Sequence, residues 1–476
     1  MVGVAATTEA APLAFFALFA LQHRGQEAAG IAVSDGQRAR LHKDVGLVGT
    51  VFTAERMADL TGHWAIGHTR YSTTGASGVR NAQPFLVETR RGPLALAHNG
   101  NLVNSPALRE GLLDRGFSLT ASSDTEVMLL MLAGAAGGTG TAGGAGPAGG
   151  AGPAGDDSWA GVLAETMPAW LGAYSVVLLG ADEIVAARDP WGFRPLSVGR
   201  LRDGGHAIAS ETCALRTLGA TDITEVAPGE IVRARGGTLS RWQVLPPQPT
   251  SARCTFEFVY FSRPDSRWDD RSVHLVRQRL GEQLAASAPV AADVVIPVPD
   301  SAIPAAVGYS RISGIPFNDG LIKNRYIGRT FIEPTQVLRE QGVALKFNTL
   351  AENLAGRRVV LIDDSLVRGT TAGRLVALLR EAGAIEVHLR ITCPPITHAC
   401  HFGVDMGHAD DLISARLGID ELRSLIDCDT LAFLSLAGMM AAVGHATGYC
   451  NACFTGHYPI PVTGSGPKDA FERVLR

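Results

Sequence analysis

The stretch RRVVLIDDSLVRGTTAGRLVALLREAGA, Arg357–Ala384, decides how the second half of this chain folds. Four consecutive apolar residues, Val359–Ile362, read as a strand buried on both faces, since a half-exposed strand would alternate. The strand ends in two carboxylates, Asp363 and Asp364. A short loop, Ser365–Thr371, then opens a helix. Its small and hydroxylated residues let backbone N–H groups and the helix N-terminus wrap a phosphate. Gly369 permits a tight approach, and Thr370 and Thr371 add hydroxyl donors. Paired acids beside such a cradle suit the vicinal hydroxyls of a sugar or a magnesium ion. The plainer reading, an α/β strand with an acidic tip and a capped helix, is all that an isolated acid pair would support.

Working outward, ADVVIPVP (Ala292–Pro299) and EVHLRITC (Glu386–Cys393) are further apolar strands set among helical stretches. That alternation predicts βαβ units on a parallel sheet. The first half reads differently. Short strand-like pieces crowd it, among them GHWAIGHTRYST, GPLALAHNGNL, YSVVLLG, EIVAARD, GHAIASE and EIVRARGG, divided by Gly and Asp turns. The prolines of VLPPQPTSARC (Val244–Cys254) mark the change, giving domains at 1–245 and 246–476. The Gly/Ala-rich stretch 133–158 has few side chains able to build a core. It lies between two core-like segments, so it is expected to be a surface loop inside the first domain.

At 476 residues the chain calls for at least two cores. A net charge of −4 with 18% charged residues argues against a nucleic-acid binder. The early run LAFFALFAL (Leu13–Leu21) is about half of what a bilayer-spanning helix needs. Only Glu9 carries charge ahead of it, whereas a secretion signal wants a basic stretch there. A soluble cytoplasmic protein without a membrane partner is the expectation, with the seven cysteines serving as thiols or metal ligands.

The acid-tipped strand and its loop resemble the phosphoribosyl pyrophosphate motif of the type I phosphoribosyltransferases. By that resemblance Asp363 and Asp364 meet the ribose hydroxyls and Mg²⁺, and Ser365, Arg368, Gly369, Thr370 and Thr371 belong to the 5-phosphate loop. VPDSAIPAAVGY (Val298–Tyr309) looks like the family's pyrophosphate loop, which makes Ser301 a contact to magnesium or diphosphate. KNRYIGRTFIEP (Lys323–Pro334) resembles the loop that closes over substrate, its Lys323, Arg325 and Arg329 offsetting pyrophosphate charge.

Five strings of the first half join this pattern: QHRGQEAAGI, GHTRYSTTG, AHNGNLVN, SSDTE and AARDPWGFRPL. Together they resemble the glutaminase domain of the amidophosphoribosyltransferase family, an αββα sandwich of the N-terminal-nucleophile hydrolase type. FEFVYFSRPDS and GLIKNRYIGRTFIEPTQ extend the likeness over essentially the whole chain. Carried over by motif, Arg70 pairs with the glutamine carboxylate, a bidentate task that suits Arg over Lys. Asp124 holds the α-ammonium, Asn99 and Gly100 form the oxyanion hole, and Arg24 and Gly25 sit near the bound amide. In this fold the nucleophile is a thiol on the first residue, with its own α-amine as base. Aligned on QHRGQE, Met1-Val2-Gly3-Val4 matches the residues just after that Cys, so the nucleophile is expected about two residues ahead of Met1. The first cysteine of the sequence is Cys213. Three accounts stay open: a start upstream of Met1, a glutaminase domain kept for binding or structure, or Thr7 or Thr8 made terminal by processing.

The pair Cys450/Cys453 alone could be redox-active, half of a metal site or incidental. One branch of the family carries a [4Fe–4S] cluster in contexts similar to CTFEFVYF, PPITHACHFG and CNACF, which implicates Cys254, Cys400, Cys450 and Cys453, with zinc as the lesser alternative. Cys213, Cys393 and Cys428 read as small core residues. The resemblance implies transfer of glutamine-derived ammonia to phosphoribosyl pyrophosphate, giving phosphoribosylamine, glutamate and pyrophosphate in the first committed step of purine synthesis. It also implies inhibition by purine nucleotides, a homo-oligomer (a tetramer by analogy), and a closed ammonia passage walled by Tyr326–Ile332. Two alternatives remain: a phosphoribosyltransferase using free ammonia, and a non-catalytic regulator binding nucleotide or glutamine.

Overall fold

The computed structural model describes residues 1–5, 10–71, 78–137, 153, 158–324, 346–406, 409–444 and 447–462. Thirteen strands build two sheets in the first half: β1 Val2–Ala5, β2 Ala28–Ser34, β3 Ala39–Val45, β4 Trp64–Arg70, β5 Phe85–Thr89, β6 Gly92–Leu102, β7 Gly172–Leu179, β8 Ile184–Arg188, β9 Ser197–Arg200, β10 His206–Ala209, β11 Thr221–Glu225, β12 Glu230–Arg235 and β13 Thr238–Gln243. The first sheet runs β11-β9-β10-β1-β4-β2-β3 and the second β13-β12-β8-β7-β6-β5.

The period of two along each strand sorts its side chains into layers. Val2 and Val4 face helix α1 (Ala10–Ala20), whereas Met1 and Ala5 share the space between the sheets with Ile66, Ala95 and Val177. Leu94, Leu96, Val176 and Leu178 face outward instead, onto α2 (Asp124–Ala136) and the helix Trp159–Thr166. The result is a four-layer αββα sandwich. Gly3 lets the sheets meet, since a Cβ there would stand 2.7 Å from Val177 Cγ1. The early apolar run is thus α1. It seats Ala10, Ala11, Ala14, Ala17 and Leu18 on the first sheet and leaves Phe16 and Phe19 exposed. Among the described residues no helix is long and apolar enough to cross a membrane.

In the second half four parallel strands lie in the order β14 (Val294–Pro297), β15 (Arg358–Asp363), β16 (Glu386–Ile391) and β17 (Thr430–Phe433). Helices α3 (Val273–Ser287), α4 (Ile303–Ser313) and α5 (Thr370–Glu381) connect or cover them. Val359–Ile362 are fully buried, as a two-sided strand requires. A further apolar cluster joins the halves: Phe193 and Ala173 of the first pack with Phe402 and Ile460 of the second, the rings of Phe193 and Phe402 stacked at 4.4 Å. Of the Gly/Ala stretch, Ala133–Ala136 continue α2, and most of the rest lies outside the described residues, as do Arg325, Arg329, Tyr326–Ile332, Thr7 and Thr8.

Candidate active sites

One end of the sandwich opens into a pocket whose wall includes Met1, Arg70, Asn99, Gly100 and Asp124. The topology explains the gathering. Strand β1 runs between β4 and β10, so its start meets the end of β4, where Arg70 stands. Strand β6 carries Asn99 and Gly100 on the facing sheet, and Asp124 opens α2 behind them. Gly100 has φ 151°, and a Cβ there would lie 2.0 Å from the Ala173 carbonyl oxygen, so only glycine fits. Asn99 Nδ2 is buried without a partner among the described residues, a donor awaiting an acceptor. Asp124 accepts the Leu102 N–H at 3.1 Å, and His98 Nδ1 is 3.6 Å away. Burial alone would raise its pKa, but His98 and two backbone amides hold it below the ordinary value, so the carboxylate is charged at neutral pH. Met1, just ahead of β1, also lines the pocket.

Arg24 and Gly25, placed near the bound amide by the motif, also have structural parts. Arg24 lines the pocket, yet its guanidinium is clamped by Glu211 at 2.6 Å and by both oxygens of Glu257 at 2.9 and 2.7 Å. Burial opposes its charge, and the two carboxylates more than restore it. Gly25 is absent from the pocket wall. It makes room for the neighbouring strand, since a Cβ there would lie 2.3 Å from the Arg70 carbonyl carbon.

Among the wall residues that escaped the sequence reading are His68, Phe261 and Gly403. His68 is two residues before Arg70, on the same face of β4. Phe261 and Gly403 come from the second half, within the strings that had been quoted for their cysteines. Gly403 seals the wall, where a Cβ would stand 2.8 Å from Gly100 Cα. Asn101 Nδ2 donates to the His401 carbonyl at 2.9 Å and Arg194 Nε to the Phe402 carbonyl at 3.1 Å, fixing that segment over β6.

The second candidate site lies at the carboxyl ends of β14 and β15. Ser301 Oγ donates to Asp364 Oδ2 at 2.5 Å, and Ser365 Oγ donates to the other oxygen. Burial, then the adjacent Asp364, pushes Asp363 well above the ordinary carboxylate range; burial raises Asp364 too, against the pull of the two serines. Two neighbouring acids raised by burial are poised to give up protons to a cation. Gly369 (φ 76°) caps α5, and Thr370, Thr371 and Arg368 face solvent around it. Lys323 Nζ pairs with Asp300 at 2.6 Å, at the foot of the segment whose middle lies outside the described residues.

Cys254 and Cys450 are partners in a two-residue parallel ladder. Burial, and then Cys254, raises the Cys450 thiol; Cys453 rises with burial and with Cys254, Cys400 and Cys450 as neighbours; Cys254 is pushed up to about 11. The Phe402 N–H donates to Cys400 Sγ at 3.4 Å, and the buried Arg194 cation is attracted to both Cys254 and Cys400. Yet no three His, Cys, Asp or Glu side chains among the described residues come close enough to hold a single metal ion. Tetrahedral zinc on these four thiols therefore does not fit. A four-iron cluster spaces its thiolates more widely, and the converging thiols, sulfur-directed N–H and buried cation suit it.

Residues 52–141 match the glutamine amidotransferase domain family and residues 274–399 the phosphoribosyl transferase domain family. An amidophosphoribosyltransferase of Synechococcus elongatus is 46% identical over 95% of this chain and 89% of its own length. The chain belongs to the amidophosphoribosyltransferases. That of Bacillus subtilis is 42% identical over 97% of this chain and 94% of its own. The solved structure of the B. subtilis glutamine phosphoribosylpyrophosphate amidotransferase, complexed with ADP and GMP, superposes with a TM-score of 0.87, at 41% identity, over 98% of each chain. The two-domain fold, an amidotransferase sandwich followed by a phosphoribosyltransferase domain on a parallel sheet, is that of the family. So is the activity: an amidophosphoribosyltransferase, which joins glutamine amide transfer to phosphoribosyl transfer in the first step of purine synthesis.

Proposed function

We propose that residues 1–245 release ammonia from glutamine in the pocket at the end of β1, and that residues 246–476 add it to phosphoribosyl pyrophosphate at the carboxyl ends of β14 and β15. The observation that carries this reading is that Arg70, Asn99, Gly100 and Asp124 meet in one pocket whose wall is completed by Phe261 and Gly403 of the other half. Arg70 and Asp124 hold the substrate's carboxylate and ammonium. A thiol attacks the amide carbon, and the charge gathering on oxygen is met by Asn99 Nδ2 and the Gly100 N–H. The C–N bond breaks, ammonia leaves, and water then releases glutamate from the thioester. The thiol belongs to a Cys ahead of Met1, at the position from which β1 leads away.

Ammonia then attacks the anomeric carbon of the phosphoribosyl group, and pyrophosphate departs. Asp363 and Asp364 hold the ribose hydroxyls, Ser365–Thr371 the 5-phosphate, and Ser301 and Lys323 the diphosphate end; Arg325 and Arg329 join them in the closing segment. Mg²⁺, held by Asp363, Asp364 and Ser301, supplies charge neutralisation on the diphosphate when bound. Such a site takes one or two carboxylates and completes its shell with substrate and water. Cys254, Cys400, Cys450 and Cys453 carry a [4Fe–4S] cluster that ties the segments leading to Phe261 and Gly403. The B. subtilis relative is complexed with ADP and GMP, and by that analogy purine nucleotides bind this chain, with the inhibition that the family resemblance implies.

The test measures pyrophosphate release with phosphoribosyl pyrophosphate and magnesium, from glutamine and from ammonium chloride at alkaline pH. The chain from Met1 and the chain preceded by Cys-Gly are compared. Ammonia should serve both and glutamine the extended chain alone. Failure of Asp364→Asn to depress the ammonia reaction would overturn the second site, and glutamine use without the added Cys would overturn the first.

A further inference from the structure

Only two side-chain atoms on the wall of the glutamine pocket are buried without a hydrogen-bond partner among the described residues, Asn99 Nδ2 and His68 Nδ1. They are complementary. His68 Nε2 lies 3.1 Å from the His98 carbonyl, which can only accept, so Nε2 carries the proton. Burial first, with the Arg70 guanidinium nearby, keeps the ring from taking a second proton. Nδ1 is therefore an unmet lone pair on a residue of the pocket wall. The other acceptors there are engaged or suited to other tasks: Gln83 Oε1 takes the His98 N–H at 2.7 Å, and Asp124 is a full anion opposite a cationic group. One unmet donor and one unmet acceptor match a carboxamide, whose oxygen accepts and whose nitrogen donates.

Resting on the glutamine reading of this pocket, we infer that His68 is a specificity-determining residue: its Nδ1 accepts an N–H of the substrate carboxamide and thereby separates glutamine from glutamate. A carboxylate in the same place would set an oxygen lone pair against Nδ1, so the acid product is disfavoured as the amide is favoured. Arg70 and Asp124 bind groups that both molecules share and cannot make this distinction. The same lone pair can hold an N–H of ammonia after the C–N bond breaks.

Calorimetric binding to the full chain, with magnesium and phosphoribosyl pyrophosphate present, compares glutamine with the γ-methyl ester of glutamate, which keeps the carbonyl oxygen but has no N–H. The wild-type chain should favour glutamine by about tenfold to a hundredfold. His68→Leu should bring the ratio close to one, and His68→Asn, which restores an acceptor, should recover part of it. An unchanged ratio in His68→Leu overturns the inference, as does a ratio near one in the wild type. The wild-type ratio decides alone should His68→Leu fail to fold by its thermal unfolding. Binding of neither ligand to the wild type overturns the glutamine reading itself, and the inference with it.

Discussion

Glu257 offers the sharpest perturbation of the contact between the two halves. Its carboxylate, fully buried, accepts from Arg24 Nη1 at 2.9 Å and Nη2 at 2.7 Å, from Arg194 Nη1 at 3.0 Å and from Ser262 Oγ at 2.7 Å. The two guanidiniums are offset by two buried carboxylates, Glu211 and Glu257. Glu257→Ala leaves two buried cations against one anion, which costs about 3–5 kcal/mol. Asp182→Ala, which removes the exposed pair with Arg235, should cost no more than about 1 kcal/mol and serves as the control. Urea unfolding followed by tryptophan fluorescence reads the difference. With slopes of ~1–3 kcal/mol per molar, Glu257→Ala should lower the midpoint by about 1 M or more. Pairing it with the loss of one cation, as Glu257→Leu with Arg194→Met, should recover most of that loss, because no excess charge then remains. A Glu257→Ala midpoint equal to that of the Asp182→Ala control would refute the reasoning, and so would a double variant no better than the single.

The same network fixes a pH dependence. His23 and Arg24 hold Glu211, and Arg24 with Arg194 holds Glu257, below the ordinary carboxylate value of 4.5 despite burial, which opposes the shift. Their stabilisation is therefore complete above that value and lost as pH falls through the lower folded values. The gap between wild type and Glu257→Ala should stay constant from about pH 5 to 8 and close in more acid solution. Gly100→Ala should reduce glutamine turnover of the Cys-Gly-extended chain at least about a hundredfold, because the new Cβ collides with the Ala173 carbonyl and displaces an oxyanion donor; a normal rate would sink that role. Cys400→Ser should strip iron and acid-labile sulfide from chain purified without oxygen, and full iron retention would remove Cys400 from the ligand set.

The sequence spoke most clearly where a single element decides the matter. Val359–Ile362 could only be a two-sided strand, and the acids that follow it had to stand at the sheet's edge. The αββα sandwich of the first half was implied by the family resemblance, and in the structure β6 and β7 each offer one face to a helix and the other to the second sheet. The Gly/Ala stretch misled at its start, because Ala is the best helix former and carries α2 on to Ala136. Contacts between distant segments were out of reach. Arg24 reads as a neighbour of the amide in QHRGQE, and nothing in that string announces Glu257, 233 residues later. His68 was hidden differently, since its part depends on which ring nitrogen a carbonyl on another strand engages.

The placing of Phe261 and Gly403 bears on why the two activities share one chain. Neither half completes the pocket. Phe261 ends the π-helical turn Glu257–Phe261, which begins three residues after Cys254, and its ring lies against the guanidiniums of Arg24 and Arg194. Gly403 follows Cys400 by three residues and presses on Gly100. Each therefore reaches the glutamine side from a segment rooted at a cysteine of the other half. Ammonia released into bulk water at neutral pH is protonated and loses its nucleophilic lone pair, so it must leave the pocket through protein. A wall built by the acceptor domain meets that need, because the pocket is closed only when the domain that consumes ammonia is docked. The buried Arg24–Glu257–Arg194 charges make separation of the halves costly, as parting them would strand cations in an apolar surface. The clamp on Arg24 is thus also what keeps the second half seated over β6.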